Sequence, residues 1–380
     1  MARDSLFGER ILWSGGPKVI STPPAWRLIS GVSGVMSVVT VLFAIVCGTA
    51  LRANVGGMLV FAGWCATLSL LAWRGPLVFR AGVEYVVTEG HVIWRRGRIR
   101  RSIDRNAVSY ALIRWNPRAP GVGDLVLVRA VPTGALRRTL RLTLSDVAGP
   151  DRLWAIVRGV TPSAPLGDGD RSLGQRLDDG ERVLWTGTPQ ASPWTTRRLA
   201  TASVAAMVAL ATLRVVLRAT PALSRVLRAH ALPWITSGLL VAGVALTTLL
   251  LVAVALGVAY QACVRPRRLA RLTRYLVTDR RVLIRRGKEE LSLDRGRIAD
   301  VISAPVHGLT HDGAASAPSG LNDVYLVLDG PQARAFSPSG AFGELDGDRL
   351  VPVLSAIEDA ETVGSILRGK PEADPLPKAA

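Results

Sequence analysis

Two long uncharged stretches lie near the start of the chain, and a single charged residue separates them. Residues 28–51 and 53–73 contain no charged side chain, and Arg52 lies between them. About 20 apolar residues are enough to cross the hydrocarbon core of a bilayer, so each stretch is long enough to span a membrane. The pattern predicts a transmembrane helical hairpin at residues 28–73.

A second pair of uncharged stretches lies in the other half of the chain. Residues 199–213 and 231–264 carry no charge, and Arg214 can snorkel to the membrane surface if the first of these helices continues beyond it. Pro221 is expected to interrupt that helix, because proline lacks the N–H group that the helix ladder needs. The second predicted hairpin therefore covers residues 199–264.

The segments around the two hairpins are similar to each other and occur in the same order. Residues 8–18 (GERILWSGGPK) match residues 180–190 (GERVLWTGTPQ) at 7 of 11 positions, and residues 84–112 align without a gap to 274–302 with ten identities. Repetition over such a length is the signature of a repeated structural unit. The sequence predicts a tandem duplication of one unit, in which a motif segment, a helical hairpin and a polar module follow one another.

Each polar module is predicted to be mostly β-structure that ends in a helix. Short runs rich in β-branched and aromatic residues are separated by turn signals, including Gly97 after Arg96. In the first copy the closing helix is expected at 153–160. In the second it is expected at about 349–368, with Asp348-Arg-Leu taken as the counterpart of Asp151-Arg-Leu. The predicted fold class is α+β, with a curled antiparallel sandwich or barrel in each unit.

These features define the predicted organisation of the whole chain. In order, it comprises a motif segment at 1–27, a hairpin at 28–73, a module at 74–160, a Pro/Gly/Ser/Asp-rich linker at 161–179, a second motif segment at 180–198, a hairpin at 199–264, a module at 265–369 and a disordered tail at 370–380.

The repeated polar segments also resemble a known family. YVVTEGHVIWRRGRIRRSIDR and YLVTDRRVLIRRGKEELSLDR are similar to the Y-x-x-T-x-x-R-hydrophobic-x-x-x-x-G signature of bacterial pleckstrin-homology-like (bacterial PH) domains. GERILWSGGP before a transmembrane hairpin is similar to integral membrane members of that group. The first copy departs from the signature at His91, where the second has Arg281. The resemblance implies a bent antiparallel sheet capped by a C-terminal helix and attached to two helices, and it implies no defined activity.

The composition favours a membrane protein over other basic proteins. Lys and Arg total 47 against 29 Asp and Glu, which gives a net charge of +18, and the mean hydropathy is +0.28. Nucleic-acid binding would explain the charge but not the hydropathy. Eleven basic residues flank the spans on the side that holds both hairpin ends, against five on the other side. By the positive-inside rule, this places both termini and both modules in the cytoplasm of a bacterial cell, beside the cytoplasmic membrane.

The sharpest candidate for a binding site is the arginine-rich turn of the first module. Guanidinium groups bind phosphate in a bidentate manner, so arginines at a hairpin tip suit an anionic lipid headgroup. A solvated basic face that only satisfies the positive-inside bias is the alternative interpretation. The second copy replaces the far side of the turn with Lys-Glu-Glu, which favours the first copy as the site. The candidate headgroup or partner contacts are Arg95, Arg96, Arg98, Arg100, Arg101, Arg285 and Arg286.

Smaller motifs are interpreted as structural. The GERxLW segments are expected to pack and cap at the start of each hairpin; seating at the membrane interface by tryptophan, or pairing of their glutamates with a module arginine, are the alternatives. Asp104-Arg105 and Asp294-Arg295 are interpreted as charge pairs near a strand end. His307 and His311 have metal-ligand spacing, but they occupy a Gly/Pro-rich loop, so no metal site is predicted.

The sequence therefore predicts a non-enzymatic protein. It has no phosphate-binding Gly-x4-Gly-Lys-Ser/Thr motif and no Gly-x-Ser-x-Gly nucleophile turn. No cofactor is expected, and the three scattered cysteines indicate no disulfide framework. The expected partners are the membrane, anionic lipid headgroups and an unidentified protein, as in an envelope scaffold, but no nucleic acid. A transport or channel-accessory bundle is the alternative, and a membrane-bound enzyme is the third.

Overall fold

The structure, a computed structural model, is mixed α+β with antiparallel sheets. It divides into two units, residues 1–181 and 182–380. The described residues are 8–18, 22, 24–50, 54–131, 138–160, 167–190, 196–228, 233–305, 321–328 and 350–369.

Unit 1 begins with a strand and two long helices. These are β1 (Ile11–Gly15), α1 (Pro24–Ala50) and α2 (Gly56–Arg80). The two helices pack against each other through small and hydroxylated residues: Ser37 Oγ donates to the Ala62 carbonyl at 2.9 Å, and Ser69 Oγ donates to the Ser30 carbonyl at 2.8 Å. Small residues let helix backbones approach closely where surrounding lipid offers no hydrophobic driving force for packing.

The remainder of unit 1 is a β-module closed by a helix. Its elements are β2 (Val83–Thr88), β3 (His91–Arg96), β4 (Ile99–Asp104), β5 (Tyr110–Trp115), β6 (Val122–Val131), β7 (Arg138–Ala148) and α3 (Pro150–Arg158). Strands β1 to β4 form an antiparallel sheet in the order β1-β2-β3-β4, and β5, β6 and β7 pair antiparallel in sequence. The inward faces of these strands and one face of α3 form a single apolar core.

In its described residues, unit 2 has the same order of elements as unit 1, with an additional helix before the first strand of its module. They are β8 (Val183–Gly187), α4 (Thr196–Arg228), α5 (Trp234–Ala259), a π-helical turn (Tyr260–Val264), α6 (Arg265–Leu272), β9 (Thr273–Thr278), β10 (Arg281–Arg286), β11 (Glu289–Asp294), β12 (Ile298–Pro305), β13 (Asn322–Leu328), β14 (Val353–Ile357) and α7 (Ala360–Leu367). Strands β8 to β11 pair antiparallel in the order β8-β9-β10-β11, and β12, β13 and β14 pair antiparallel.

Four candidate membrane spans confirm the sequence prediction in number and approximate place. Within the described residues, the helical stretches long and apolar enough to cross a membrane are Ala25–Ile45, Gly56–Arg80, Arg198–Arg225 and Val241–Leu272. Their large apolar side chains are mostly exposed, as Leu28 (68%) and Leu249 (68%) illustrate. Such outward apolar faces are what a helix presents to lipid, because hydrocarbon rather than water is then the solvent.

The helix ends differ from the predictions at both prolines. Helix α2 continues seven residues past the predicted boundary at Trp73 and includes Pro76, and α4 continues through Pro221 to Arg228. A proline removes one backbone hydrogen bond, but the flanking turns of a long helix hold its path, and spanning helices tolerate this loss. The prediction that Pro221 interrupts the helix was therefore wrong.

The second module also differs from its predicted outline. Residues 265–272 form α6 rather than the start of the module, whose first strand begins at Thr273. The long closing helix predicted at about 349–368 is a strand, β14, followed by the short α7. The pairing of Asp151-Arg-Leu with Asp348-Arg-Leu was consequently wrong, since Leu153 lies in α3 whereas Leu350 precedes β14. Most of the predicted tail lies outside the described residues.

Candidate functional site

The arginine-rich turn of unit 1 lies at the end of the module that adjoins α2. Strand β2 begins three residues after α2 ends, and its first residue, Val83, is paired with Arg96 at the end of β3. The guanidinium carbon of Arg96 lies 3.9 Å from the centroid of the Phe79 ring, in the last turn of α2. The β3–β4 turn is thereby held next to the end of a candidate membrane span.

The turn itself depends on a glycine in an unusual backbone conformation. Gly97 has a φ of 55°, in the left-handed region that favours glycine, and Gly287 of unit 2 has a φ of 62°. This confirms the turn expected from the sequence. It reverses the chain within two residues, so side chains from both strands crowd at its tip.

Positive charge in this hairpin is concentrated on exposed side chains. Arg95 of β3 is paired directly with Arg100 of β4, and Arg95, Arg98, Arg100 and Arg101 are all exposed. Like charges directly opposite on neighbouring strands destabilise a sheet. Ile99, at the tip between the arginines, is 56% exposed. An apolar tip ringed by arginines suits a membrane surface, and the charge-based search of the sequence missed this isoleucine.

The corresponding hairpin of unit 2 has the same register but opposite chemistry. Arg285 is paired with Glu290 and Arg286 with Glu289, so acidic residues stand where unit 1 has Arg100 and Ile99. The Arg286 Nη2 to Glu289 Oε2 distance is 2.8 Å, and Arg285 Nη1 lies 3.8 Å from Glu290 Oε1. The structure thus brings Arg285 and Arg286 to the tip, but it engages both with glutamates.

Both modules are braced by a buried tyrosine at matching places. The Tyr85 hydroxyl donates to the Ser145 carbonyl at 3.1 Å and accepts from the Ser145 N–H at 3.0 Å; Tyr275 makes the same two contacts with Ser355, at 3.4 and 3.0 Å. Burial raises the pKa of each tyrosine to about 12, so both hydroxyls keep their protons at neutral pH. The residue after each serine has a positive φ, 53° at Asp146 and 52° at Ala356.

Unit 1 adds an ion pair between its second long helix and this corner. Arg80 Nη1, at the end of α2, lies 2.7 Å from Asp146 Oδ2, and the Asp146 side chain is 5% exposed. Unit 2 has alanine at the matching corner position, Ala356. The Arg80–Asp146 contact therefore fixes the first module to its helix in a way that the second module does not share.

Arg105 and Arg295 hold the C-terminal helix of each module in place. Arg105 donates to the Ile156 and Val157 carbonyls of α3 at 2.8 and 2.9 Å, and also to two carbonyls of the β2–β3 turn. Arg295 donates to the Ile366 carbonyl of α7 and to the β9–β10 turn. The expected charge pairs were thus an incomplete interpretation, because the arginines bridge main-chain carbonyls across each module.

The first GERxLW segment is an edge strand of its module. Strand β1 pairs with β2, and Trp13 packs against the apolar core of unit 1. Glu9 accepts hydrogen bonds from the Thr88 hydroxyl and the Gly90 N–H, and its carboxylate lies 2.9 Å from His91 Nδ1. The preferred interpretation, a packing role, is confirmed for this copy. The alternative of a glutamate contact with the module also holds, with histidine rather than arginine as the partner.

Lowering the pH should loosen the contact between this segment and the first module. The hydrogen bond from Thr88 lowers the pKa of Glu9 from its ordinary value, and His91 and Gly90 act in the same direction. A carboxylate with a lowered pKa stabilises the folded state above its unfolded pKa, and this contribution is lost as the pH falls through the folded pKa. We expect the wild type to lose thermal stability more steeply than Glu9→Gln as the pH falls through the range in which carboxylates titrate. Equal pH slopes in the two proteins would contradict this role.

Part of the predicted linker is folded against unit 1. Arg158 Nη2 of α3 lies 2.6 Å from Asp178 Oδ2, and Arg176 Nη1 lies 3.2 Å from Asp151 Oδ2, with all four side chains less than a tenth exposed. The composition of this segment predicted a flexible connection, whereas its charged residues form buried ion pairs with the module. Residues 161–166 lie outside the described residues.

The remaining chemical candidates form no site among the residues that the structure describes. His307 and His311 lie outside the described residues. Across the part of the chain that the structure describes, no group of three or more His, Cys, Asp or Glu side chains could hold a metal ion. Cys47, Cys65 and Cys263 are free thiols.

Comparison with known proteins leaves the family open. No protein-family model, no curated protein and no solved structure matches the chain. The resemblance to bacterial PH-like domains therefore remains a prediction from the residues quoted above.

Proposed function

We propose that the protein is a non-enzymatic, multi-pass membrane protein made of two repeated units, each holding a PH-like module beside the membrane. The first module binds anionic lipid headgroups through the tip of its β3–β4 hairpin. The observation that carries this proposal is the contrast between the two hairpins: arginine faces arginine in unit 1, and arginine faces glutamate in unit 2. A cluster of exposed arginines of this kind is stabilised by an external anion.

The position of the hairpin supports a lipid rather than a soluble anion. Arg96 stacks on Phe79 in the last turn of a candidate span, and the exposed Ile99 lies at the tip. Basic residues beside an anionic leaflet each contribute about 1 kcal/mol to membrane binding. The exposed Ile99 at the same tip can also be buried in the membrane–water interface. A soluble phosphate compound would provide no apolar surface to bury it.

Duplication of one unit explains why the same contacts recur. The tyrosine braces and the arginine bridges occur at matching places in both modules. On this account the second module keeps these stabilising contacts. The arginines of its β10–β11 hairpin pair with glutamates of the same hairpin, which therefore stabilises the fold or binds a protein partner. Both modules lie on the cytoplasmic side of a bacterial cytoplasmic membrane, following the excess of basic residues there.

The contacts between helices α1 and α2 favour lipid binding over a transport path. The serine hydroxyls of α1 and α2 donate to carbonyls of the neighbouring helix or of their own helix. Hydroxyls used in this way serve helix packing. A water-lined route would instead require polar side chains that face a common cavity.

Removing two arginines without structural contacts tests the proposal. Arg98 and Arg101 make no hydrogen bond or ion pair with the described residues, so Arg98→Gln/Arg101→Gln removes charge and leaves the fold intact. The full chain would be released from nanodiscs of phosphatidylcholine with one-fifth phosphatidylglycerol, and bound lipids counted by native mass spectrometry. We expect the preference for phosphatidylglycerol at this site to fall about thirtyfold, from about 1 kcal/mol for each arginine.

A matched control separates this effect from net charge. Arg118→Gln/Arg152→Gln removes the same charge from exposed positions of unit 1 outside the hairpin. That variant should retain phosphatidylglycerol as the wild type does. If the hairpin variant also retains it fully, the hairpin does not bind lipid headgroups.

A further inference from the structure

The second half of α4 carries a stripe of arginines that no other described residue engages. Arg214, Arg218, Arg225 and Arg228 lie on one continuous helix, since Pro221 does not end it. At 100° per residue these four positions fall within an arc of about 80°. All four side chains are exposed. The helix thus presents one basic face over its last four turns.

Exposed apolar side chains flank the arginine stripe. At 100° per residue, Leu217 and Leu213 lie about 60° and 100° from its centre, and they are 64% and 55% exposed. A helix whose basic residues lie beside exposed apolar ones is the pattern of a segment that reaches the membrane interface. The leucines account for contact with hydrocarbon, and the arginines require an anion.

The protein offers these arginines no counter-charge in the described residues. None of the four makes a hydrogen bond or an ion pair there. The sequence, moreover, contains no acidic residue between Glu181 and Asp279. The neighbouring stretches of chain therefore cannot neutralise the stripe, and an external anion is the remaining partner.

The depth of the stripe identifies which anion is available. Arg198, near the start of α4, donates to the Ala262 carbonyl at 2.6 Å, which sets the level of one membrane surface on this hairpin. With a rise of 1.5 Å per residue, Arg214 lies about 24 Å and Arg228 about 45 Å beyond that level. A bilayer has a hydrocarbon core of about 30 Å and measures about 40–45 Å with its headgroups. Arg214 therefore lies about 6 Å inside the far edge of the hydrocarbon core, within reach of snorkelling, Arg218 lies near that edge, and Arg225 and Arg228 lie beyond it.

An aromatic anchor on the neighbouring helix supports this depth. Trp234 begins α5 and is 84% exposed. Counting back from the same Arg198 contact, Trp234 reaches the level of Arg225 to Arg228. Tryptophan is enriched at the membrane–water interface, where its ring suits the headgroup region.

We propose that this face, Arg214, Arg218, Arg225 and Arg228, binds the phosphate groups of anionic phospholipids in the leaflet opposite the one beside the module of unit 2. The guanidinium groups bind phosphate oxygens in a bidentate manner, those of Arg214 and Arg218 by snorkelling toward the headgroups, while Leu213 and Leu217 contact the acyl region. This site belongs to a different unit from the β3–β4 hairpin and shares no residue with it. It holds whether or not that hairpin binds lipid.

The segments that connect the two helices of each helical hairpin can be compared by sequence. The connection between α1 and α2 carries the single basic residue Arg52, whereas the second half of α4 carries four arginines in fifteen residues. The proposed anchoring by arginines to the opposite leaflet therefore rests on the sequence of unit 2.

The test uses the full chain in nanodiscs of phosphatidylcholine with one-fifth phosphatidylglycerol, with bound lipid counted by native mass spectrometry. The variant with Arg214, Arg218, Arg225 and Arg228 all replaced by glutamine should lose at least tenfold in its preference for phosphatidylglycerol over phosphatidylcholine. The same four positions replaced by lysine should retain part of that preference, because lysine keeps the charge and loses the bidentate geometry.

A second variant protects the test against misfolding. Arg225→Gln/Arg228→Gln changes only residues beyond the hydrocarbon core, so insertion of α4 is preserved, and it should lose at least threefold. Arg118→Gln/Arg152→Gln is the charge-matched control and should behave as the wild type. Wild-type phosphatidylglycerol retention in Arg225→Gln/Arg228→Gln would overturn the proposal. The hairpin variant Arg98→Gln/Arg101→Gln leaves α4 intact, so failure of one site is distinguishable from failure of the other.

Discussion

Replacing Ile99 and Arg100 of unit 1 with glutamate should abolish its recognition of anionic lipid. Glutamates occupy the matching positions of unit 2, where Arg286 is bonded to Glu289. The double substitution changes the charge of the tip by three units and removes its exposed apolar residue. At about 1 kcal/mol per charge near an anionic leaflet, we expect about a hundredfold weaker retention of phosphatidylglycerol at this site.

The reciprocal exchange in unit 2 provides the control and the sharper test. Glu289→Ile/Glu290→Arg gives the second hairpin the pattern of the first, at the same register. This variant should gain phosphatidylglycerol that the wild-type second hairpin does not retain. Loss in the first exchange without gain in the second would show that the tip alone does not define the site. No change in either exchange would contradict lipid recognition by charge.

Replacing Arg105 with alanine should destabilise the first module by about 3 kcal/mol. Its guanidinium group donates to carbonyls of α3 and of the β2–β3 turn, so its removal leaves these acceptors without their donor. Hydrogen bonds from a charged group contribute about 1.5–3 kcal/mol each, partly offset by solvation of the freed carbonyls. We expect α3 to exchange its amide hydrogens faster than in the wild type, as hydrogen–deuterium exchange would measure.

Unit 2 again supplies the matched comparison for this prediction. Arg295→Ala should accelerate exchange in α7, where Ile366 accepts its hydrogen bond, and leave α3 unchanged. Arg105→Lys should restore only part of the protection, since lysine cannot reach both elements with a planar fork. Unchanged exchange in α3 of Arg105→Ala would show that packing of its apolar face alone holds the helix.

Much of the fold could be predicted from local patterns. Uncharged runs longer than the bilayer core located the helices, and Gly97 and Gly287 marked the turns of the two matching hairpins. Alternation and β-branched residues located β2, β3 and β6. These features depend on residues that are close together in the sequence, so a single sequence is enough to predict them.

Other features depend on contacts between distant residues and could not be predicted. The linker composition concealed the ion pairs of Arg158 and Arg176, because a Gly/Pro-rich segment is flexible only where nothing binds it. The apparent match between Asp151 and Asp348 misplaced the closing helix of unit 2. A match of three residues is weak evidence for a shared structure. The pairing of β13 with β14, which could not be seen in the sequence, determines the end of that module.

Part of the candidate site could be predicted from the sequence. The sequence alone shows the cluster of arginines in the first copy and the glutamates that replace some of them in the second copy. The pairing of Arg95 with Arg100, the exposure of Ile99 and the stacking of Arg96 on Phe79 required the register of the hairpin and its position next to α2. The arginine stripe of α4 was missed as a site, because Pro221 was expected to break the helix that aligns it.

The most direct measurement compares the two hairpins within one molecule. Hydrogen–deuterium exchange of the full chain would be followed in nanodiscs of phosphatidylcholine, with and without phosphatidylglycerol, for residues 91–104 and 281–294. The account predicts that phosphatidylglycerol slows exchange in 91–104, that added salt reverses this protection, and that 281–294 is unaffected. Equal responses of the two hairpins, or no response in 91–104, would contradict it.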